Sequence, residues 1–180
     1  TKEPDVNWRN FNKACQYAKD SGCITAMITS KGEPTIFPDQ ITKFLTEMDP
    51  YKFPVIEMQT NGLLIAEGKR VTDSHLEQWY KLGLTTVAIS VVHYDPAKNK
   101  LQYTPNKDYI DLPALIAKLH KFGFSVRLTT IMAKTYIDSP QELEAMLKFA
   151  RDNKVEQLTA TPVTKPDATE SIPIFDWTTQ

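Results

Sequence analysis

The residues best suited to chemistry stand where short apolar runs end. Ser30-Lys31-Gly32-Glu33-Pro34 follows the apolar run 24–28. Its glycine lets a ligand come close to the backbone, and its proline fixes φ just after the carboxylate. An acid held on so rigid a tip can recognise a cationic group such as an amine. The same residues also make an ordinary turn, so the motif gains meaning only from the rest of the chain. Four later runs end comparably, in Gln59-Thr60-Asn61-Gly62, in Ser90-Val91-Val92-His93-Tyr94-Asp95, in Thr129-Thr130-Ile131 and in Thr161-Pro162-Val163. All of these ends are rich in hydrogen-bonding groups, and Glu33 is their exposed-looking acid.

The elements that carry these tips alternate. Helical spacing of Trp8, Phe11, Cys15 and Ala18 predicts a helix over residues 7–20, closed by Gly22. Strands are expected at 24–30, 55–60, 86–92, 125–132 and 155–161, and crossover helices at 39–48, 73–82, 112–122 and 139–153. Pro38 starts the first of these helices. Thr72 or Asp73 caps the second, and Ser139 with Glu142 suggests a capping box for the last. Residues 95–108 read as a polar loop, with Asp95-Pro96 a turn. Five strands joined by four crossovers mean a parallel sheet, open or curled into a barrel.

The strands themselves choose between those forms. Strands covered on both faces run almost continuously apolar. Here Glu57 and Gln59 alternate with Ile56 and Met58, and Ala88 and Ser90 with Val87, Ile89 and Val91. Arg127 and Thr129 alternate with Val126 and Leu128, and Gln157, Thr159 and Thr161 with Leu158 and Ala160. Period-two geometry therefore gives the sheet one polar face. Helices on both faces would strand those groups, at roughly 1–3 kcal/mol for each unmade hydrogen bond. The expected fold is α/β, a partial (β/α) barrel with helices outside and polar side chains lining the lumen. Arg127 on that wall needs an anionic partner, either Glu57 or a charged ligand. Ligands of parallel-strand proteins bind at the C-terminal strand ends, which makes the polar tips the rim of the site.

Composition narrows the classes. The chain has 180 residues, 41% hydrophobic, with a net charge of −1, which suits one domain with a real core and no electrostatic footprint for nucleic acid. No apolar run approaches a membrane span, and no signal peptide is evident, so a cytoplasmic protein is expected. Cys15 and Cys23 suit buried free thiols in a reducing compartment. The start at Thr1 suggests a piece of a longer protein. Residues 1–163 form the expected domain, and 164–180, with Pro166 and Pro173, an irregular tail or linker.

Taken in order, Gly32-Glu33-Pro34, Thr60-Asn61-Gly62, Ser90 and the basic strand with Arg127 resemble the core of the radical S-adenosylmethionine (SAM) superfamily, over residues 6–163. The leads Gly83-Leu84 and Gly123-Phe124 fit as well. The resemblance implies that Gly32, Glu33 and Pro34 meet the methionine ammonium of SAM, and that Thr60 and Asn61 belong to the same rim. It implies Ser90 at the ribose or methionine part, Arg127 at the carboxylate, and residues from Thr161 to Val163 at adenine. It further implies reductive cleavage of SAM at a [4Fe–4S] cluster, giving a 5′-deoxyadenosyl radical, with a flavodoxin or ferredoxin as reductant. The family's first strand and its Cys-x-x-x-Cys-x-x-Cys cluster loop are absent from the sequence, so cluster ligands are expected outside this chain, and the chain alone is expected to be inactive. Lys31 stands where the family commonly has a second glycine, and could pair with Glu33 or meet an anionic substrate. His93 reads as a loop histidine bonded to a neighbour. The alternatives are a cluster-free barrel enzyme of the aldolase or isomerase type, weakened by the lack of a Gly-rich phosphate loop, and a non-catalytic half-barrel that binds a small molecule or partner.

Overall fold

The computed structural model describes residues 2–162. The expectations for Val163 and for the tail 164–180 lie outside the described residues. Helix α1 (Trp8–Asp20) leads into strand β1 (Thr25–Ile28), helix α2 (Pro38–Met48) and strand β2 (Val55–Thr60). Two helices, α3 (Leu63–Glu67) and α4 (Asp73–Lys81), precede β3 (Thr86–Val91), and two more, α5 (Pro96–Tyr103) and α6 (Leu112–Lys121), precede β4 (Ser125–Met132). Helix α7 (Pro140–Asp152) and strand β5 (Gln157–Pro162) complete the order. The five strands form one parallel sheet in the order β1-β2-β3-β4-β5.

The register sorts the two faces as the alternation requires. Glu57 pairs with Thr86, Gln59 with Ala88, Ala88 with Arg127 and Arg127 with Gln157, while Ser90, Thr129 and Thr159 form the next row up. These residues share one face. On the other, Ile56, Met58, Val87, Ile89, Val91, Val126 and Leu128 are buried in a single core with Leu45, Leu76, Trp79, Leu115, Leu119 and Met146 of the helices. Trp79 is fully buried, and its Nε1 donates to Thr42 Oγ1 at 2.9 Å, so the largest side chain of the core leaves no orphaned donor. The polar face stays open: Met27 is 48% exposed and Ile131 44%. This is the partial β/α barrel that the polar stripe demands.

Two segments differ from expectation. Residues 95–108 are not wholly loop, because Asp95 caps α5 by accepting from Ala97 N at 2.8 Å and Pro96 occupies its first turn. Asp-Pro thus acts as N-cap and helix start rather than as a turn. Lys98, Asn99 and Lys100 hid the helix by masking its apolar side. The second difference is α3, a five-residue helix directly after Gly62. Gly62 has φ +74, and a Cβ there would meet Leu115 Cδ2 at 2.7 Å and Ile89 Cγ2 at 3.4 Å. The turn that closes the β2 tip therefore needs glycine for both conformation and space.

Gly62→Ala is expected to lose about 2–4 kcal/mol of stability, from left-handed strain plus overpacking against Leu115. Gly32→Ala, where a Cβ meets no atom within 4 Å, should stay within about 0.5 kcal/mol of wild type. Urea unfolding of both variants measures the contrast; equal midpoints would refute it.

Candidate functional site

The rim is organised by one carboxylate. Glu33 Oε1 accepts from Thr35 N at 3.0 Å, Thr35 Oγ1 at 2.5 Å and Thr60 Oγ1 at 2.7 Å, and Oε2 accepts from Asn61 N at 2.7 Å. Glu33 therefore caps the short 3₁₀ turn Pro34–Ile36 and simultaneously ties the tip after β1 to the tip of β2. Thr60 Oγ1 also accepts from Gly62 N at 3.0 Å, and Asn61 Oδ1 accepts from Leu63 N at 3.0 Å. The Gly-Glu-Pro and Thr-Asn-Gly segments form one hydrogen-bonded unit. An ionised carboxylate has about four acceptor positions, and four donors already address this one. Lys31 is exposed and is not among them.

Sequence reasoning missed Thr35, which is fully buried and supplies two of the four donors. Its signal was its place two residues after a capping acid, the usual reach of a side chain to its own backbone.

Ser90 stands half-buried on the concave face, one row above Ala88 and beside Thr129. Arg127 lies one row deeper, and its Nη2 donates to Glu57 Oε1 at 2.5 Å, with both side chains largely buried. Burial raises the Glu57 pKa, and the Arg127 charge and hydrogen bond only partly offset that rise. Of the two partners open to Arg127 from sequence, Glu57 is the one in contact. Arg127 Nε and Thr129 Oγ1 are buried without a partner among the described residues. Thr161 is exposed at the end of β5, opposite Ile131.

Behind the β3 tip a second polar cluster faces the helices. His93 is 1% exposed, and its Nδ1 accepts from Asp95 N at 2.9 Å. A backbone N–H can only donate, so the ring proton belongs on Nε2, which donates to Glu142 Oε2 at 2.9 Å. Tyr94 OH donates to the same oxygen at 2.8 Å, and Lys98 Nζ stands 3.5 Å from Oε1. Burial lowers the His93 pKa most, against the pull of Glu142. Burial alone would raise the Glu142 carboxyl, but the bonds from Tyr94 and His93 outweigh it and hold it low. The expected box at the start of α7 is half present. Ser139 Oγ accepts from Glu142 N at 3.2 Å, while the Glu142 side chain turns to His93.

Which cofactors these residues fit differs by group. A polar rim with two orphaned donors on its wall suits a polar, charged ligand of the SAM type. An iron–sulfur cluster is not matched: among the described residues no three His, Cys, Asp or Glu side chains gather as metal ligands. Cys15 is buried and Cys23 exposed, both as free thiols. Among the described residues no helix is long and apolar enough to cross a membrane.

No protein-family model matches the sequence, and no curated protein matches it. Solved structures do. SuiB of Streptococcus suis, solved with its precursor peptide SuiA, superposes with TM-score 0.70 at 19% identity over 98% of this chain and 37% of its own. Methylornithine synthase PylB gives TM-score 0.63 at 11% identity over 95% of this chain and 49% of its own. Coproporphyrinogen III oxidase HemN of Escherichia coli, a radical SAM enzyme, gives 0.58 at 11% over 98% and 43%. The chain spans less than half the length of each of these proteins.

Replacing Glu33 by Gln sets an amide N–H against the Asn61 N–H or the two threonines, and is expected to cost about 1–3 kcal/mol. A lowered urea midpoint at unchanged slope would show it, and an unchanged midpoint would refute it. Acid should weaken the fold in a defined order. The unfolded chain takes up a proton at His93 near 6.5 that the folded chain resists, so stability falls as pH drops below about 6.5. Glu142 adds to the loss as pH falls through and below 4.5, while Glu57, with its raised pKa, works in the opposite direction just above 4.5. Thermal unfolding of wild type and His93→Gln against pH tests this, the variant lacking the first loss. The arrangement of strands and helices is a partial β/α barrel, the fold this chain shares with these solved structures, of which HemN is a radical SAM enzyme.

Proposed function

We propose that this chain is the SAM-binding part of a radical SAM catalytic core, residues 1–163, whose cluster ligands lie elsewhere in the full-length protein. The observation that carries this reading is the Glu33 junction, which joins Gly32-Glu33-Pro34 to Thr60-Asn61 on the C-terminal rim of a barrel of that fold. The reaction it serves is reductive cleavage of SAM at a [4Fe–4S] cluster, with a flavodoxin or ferredoxin as electron donor, in the cytoplasm. The residues of this chain bind and orient the substrate of that cleavage.

Their roles follow from what each has left to offer. With four donors already on the Glu33 carboxylate, its part is to fix the tip 30–34. Backbone carbonyls of that tip, near Gly32 and ahead of Pro34, then take up the methionine ammonium. Gly32 leaves open space there for a ligand to approach. Arg127 meets the methionine carboxylate with donors that Glu57 does not use, Nε among them. A guanidinium has five N–H donors, so it can serve both acids. Ser90 with Thr129 faces the ribose, and Thr161 with Val163 the adenine.

Saturable SAM binding to the parent protein, read by calorimetry, is expected to weaken about tenfold in Arg127→Met, a loss in line with a charged hydrogen bond. After anaerobic reconstitution and reduction with dithionite, the same protein should release 5′-deoxyadenosine and methionine. A parent protein with neither iron–sulfur absorption nor bound SAM overturns the reading.

A further inference from the structure

We propose that His93 and Glu142 are positioning residues for the ligand rim: their hydrogen bond clasps the β3 tip, which carries Ser90, to the first turn of α7. The proposal rests on the reading of Ser90 as a SAM contact and adds residues that touch no ligand themselves.

Three anchors converge on the segment just after β3. The Asn99 side chain is completely buried; its Oδ1 accepts from Val92 N at 2.9 Å, and its Nδ2 donates to the carbonyl oxygens of His93 and Asp95. His93 Nδ1 accepts from Asp95 N, which closes the tip upon itself. His93 Nε2 then donates across to Glu142, forty-nine residues further along the chain. Asn99 and Nδ1 fix the local shape of the tip; the Nε2 bond, with the Tyr94 hydroxyl on the same Glu142 oxygen, fixes where that shape sits relative to α7. Because α7 follows the β4 tip through the buried Ile137, the same bond sets the β3 and β4 tips against each other. Ser90 and Thr129, paired in register, belong to those two strands.

The clasp works in one protonation state. Every titratable or charged group facing His93 is accounted for by Glu142 of α7, Lys98 of α5, and the adjoining Tyr94 and Asp95. The Lys98 ammonium stands 3.1 Å from Nε2, so neutral His93 already meets a positive neighbour that Glu142 shares. A second ring proton would sit on Nδ1, facing the Asp95 N–H that it now receives. Protonation therefore sets donor against donor at the tip and adds charge beside Lys98. The β3 tip loosens, and the row that holds Ser90 loses its fixed place.

The test uses the full-length parent protein and two readouts. Hydrogen exchange of the amides from Ser90 to Asp95 should quicken by at least about tenfold in Glu142→Ala while β2 is unchanged, since that variant removes the partner of His93, Tyr94 and Lys98 together. SAM affinity of that variant should fall by a similar factor. In wild type, SAM affinity should decline once pH falls far enough below the ordinary imidazole range to protonate His93, whose pKa burial lowers. His93→Gln keeps a donor toward Glu142 and cannot titrate, so it should lose the decline, whatever its affinity at neutral pH. A decline that persists in His93→Gln belongs to another titrating group and overturns the proposal. So would unaltered exchange and binding in Glu142→Ala beside a wild type that binds SAM normally. If wild type binds no SAM at any pH, the reading of the rim fails first, and the proposal fails with it.

Discussion

A single half-buried carboxylate, ringed by donors, does more to define this rim than any apolar contact near it. Glu33 takes hydrogen bonds from Thr35, Thr60 and Asn61, and each would otherwise be a polar group in search of a partner at the edge of the core. Charge-assisted bonds of this kind are about twice as strong as neutral ones. Their value here is geometric as much as energetic. Two loops that leave different strands are fixed to one another before any ligand arrives, so binding need not spend its own free energy on ordering them.

The same logic runs along the sheet. A parallel sheet with helices on one side alone has to face its other side with groups that tolerate water or each other. Glu57 and Arg127 do so as a pair, Thr29 and Gln59 as neighbours with 3.3 Å between Thr29 Oγ1 and Gln59 Oε1. The pair cancels its own charge, which leaves the concave wall close to neutral below the rim. Burial pushes the Glu57 carboxyl upward and Arg127 restrains it, so neither partner is dispensable alone. Truncating one strands a buried charge; exchanging both for apolar groups would close the face to polar ligands.

Much of this was legible from residue order because strands and helices impose periods of two and 3.6. Val87, Ile89 and Val91 against Ala88 and Ser90 announce a two-faced strand wherever they occur. The polar stripe then excludes helices on both faces by the cost of unpaired groups. What the sequence could not reveal is partner choice across distance. Nothing in its order says that Glu142, readable as half of a capping box, turns away to His93, or chooses between Glu57 and a ligand as the partner of Arg127. Helix α5 was hidden for a different reason: Asp95-Pro96 serves a turn and a helix start equally well, and the packing of Tyr103 against Tyr109 settles it only in three dimensions.

Glu33 and His93 solve the same problem by opposite means. Glu33 takes four donors, three on Oε1 and one on Oε2, and so ties two tips at once. His93 is buried neutral, one nitrogen accepting and the other donating, and keeps that division only while it carries one proton. An imidazole loses that division when it takes a second proton, which burial here resists. The β1–β2 side of the rim is therefore held by a carboxylate junction, and the β3–β4 side by an imidazole. That asymmetry belongs to the fold of this chain, whichever substrate the complete protein presents to it.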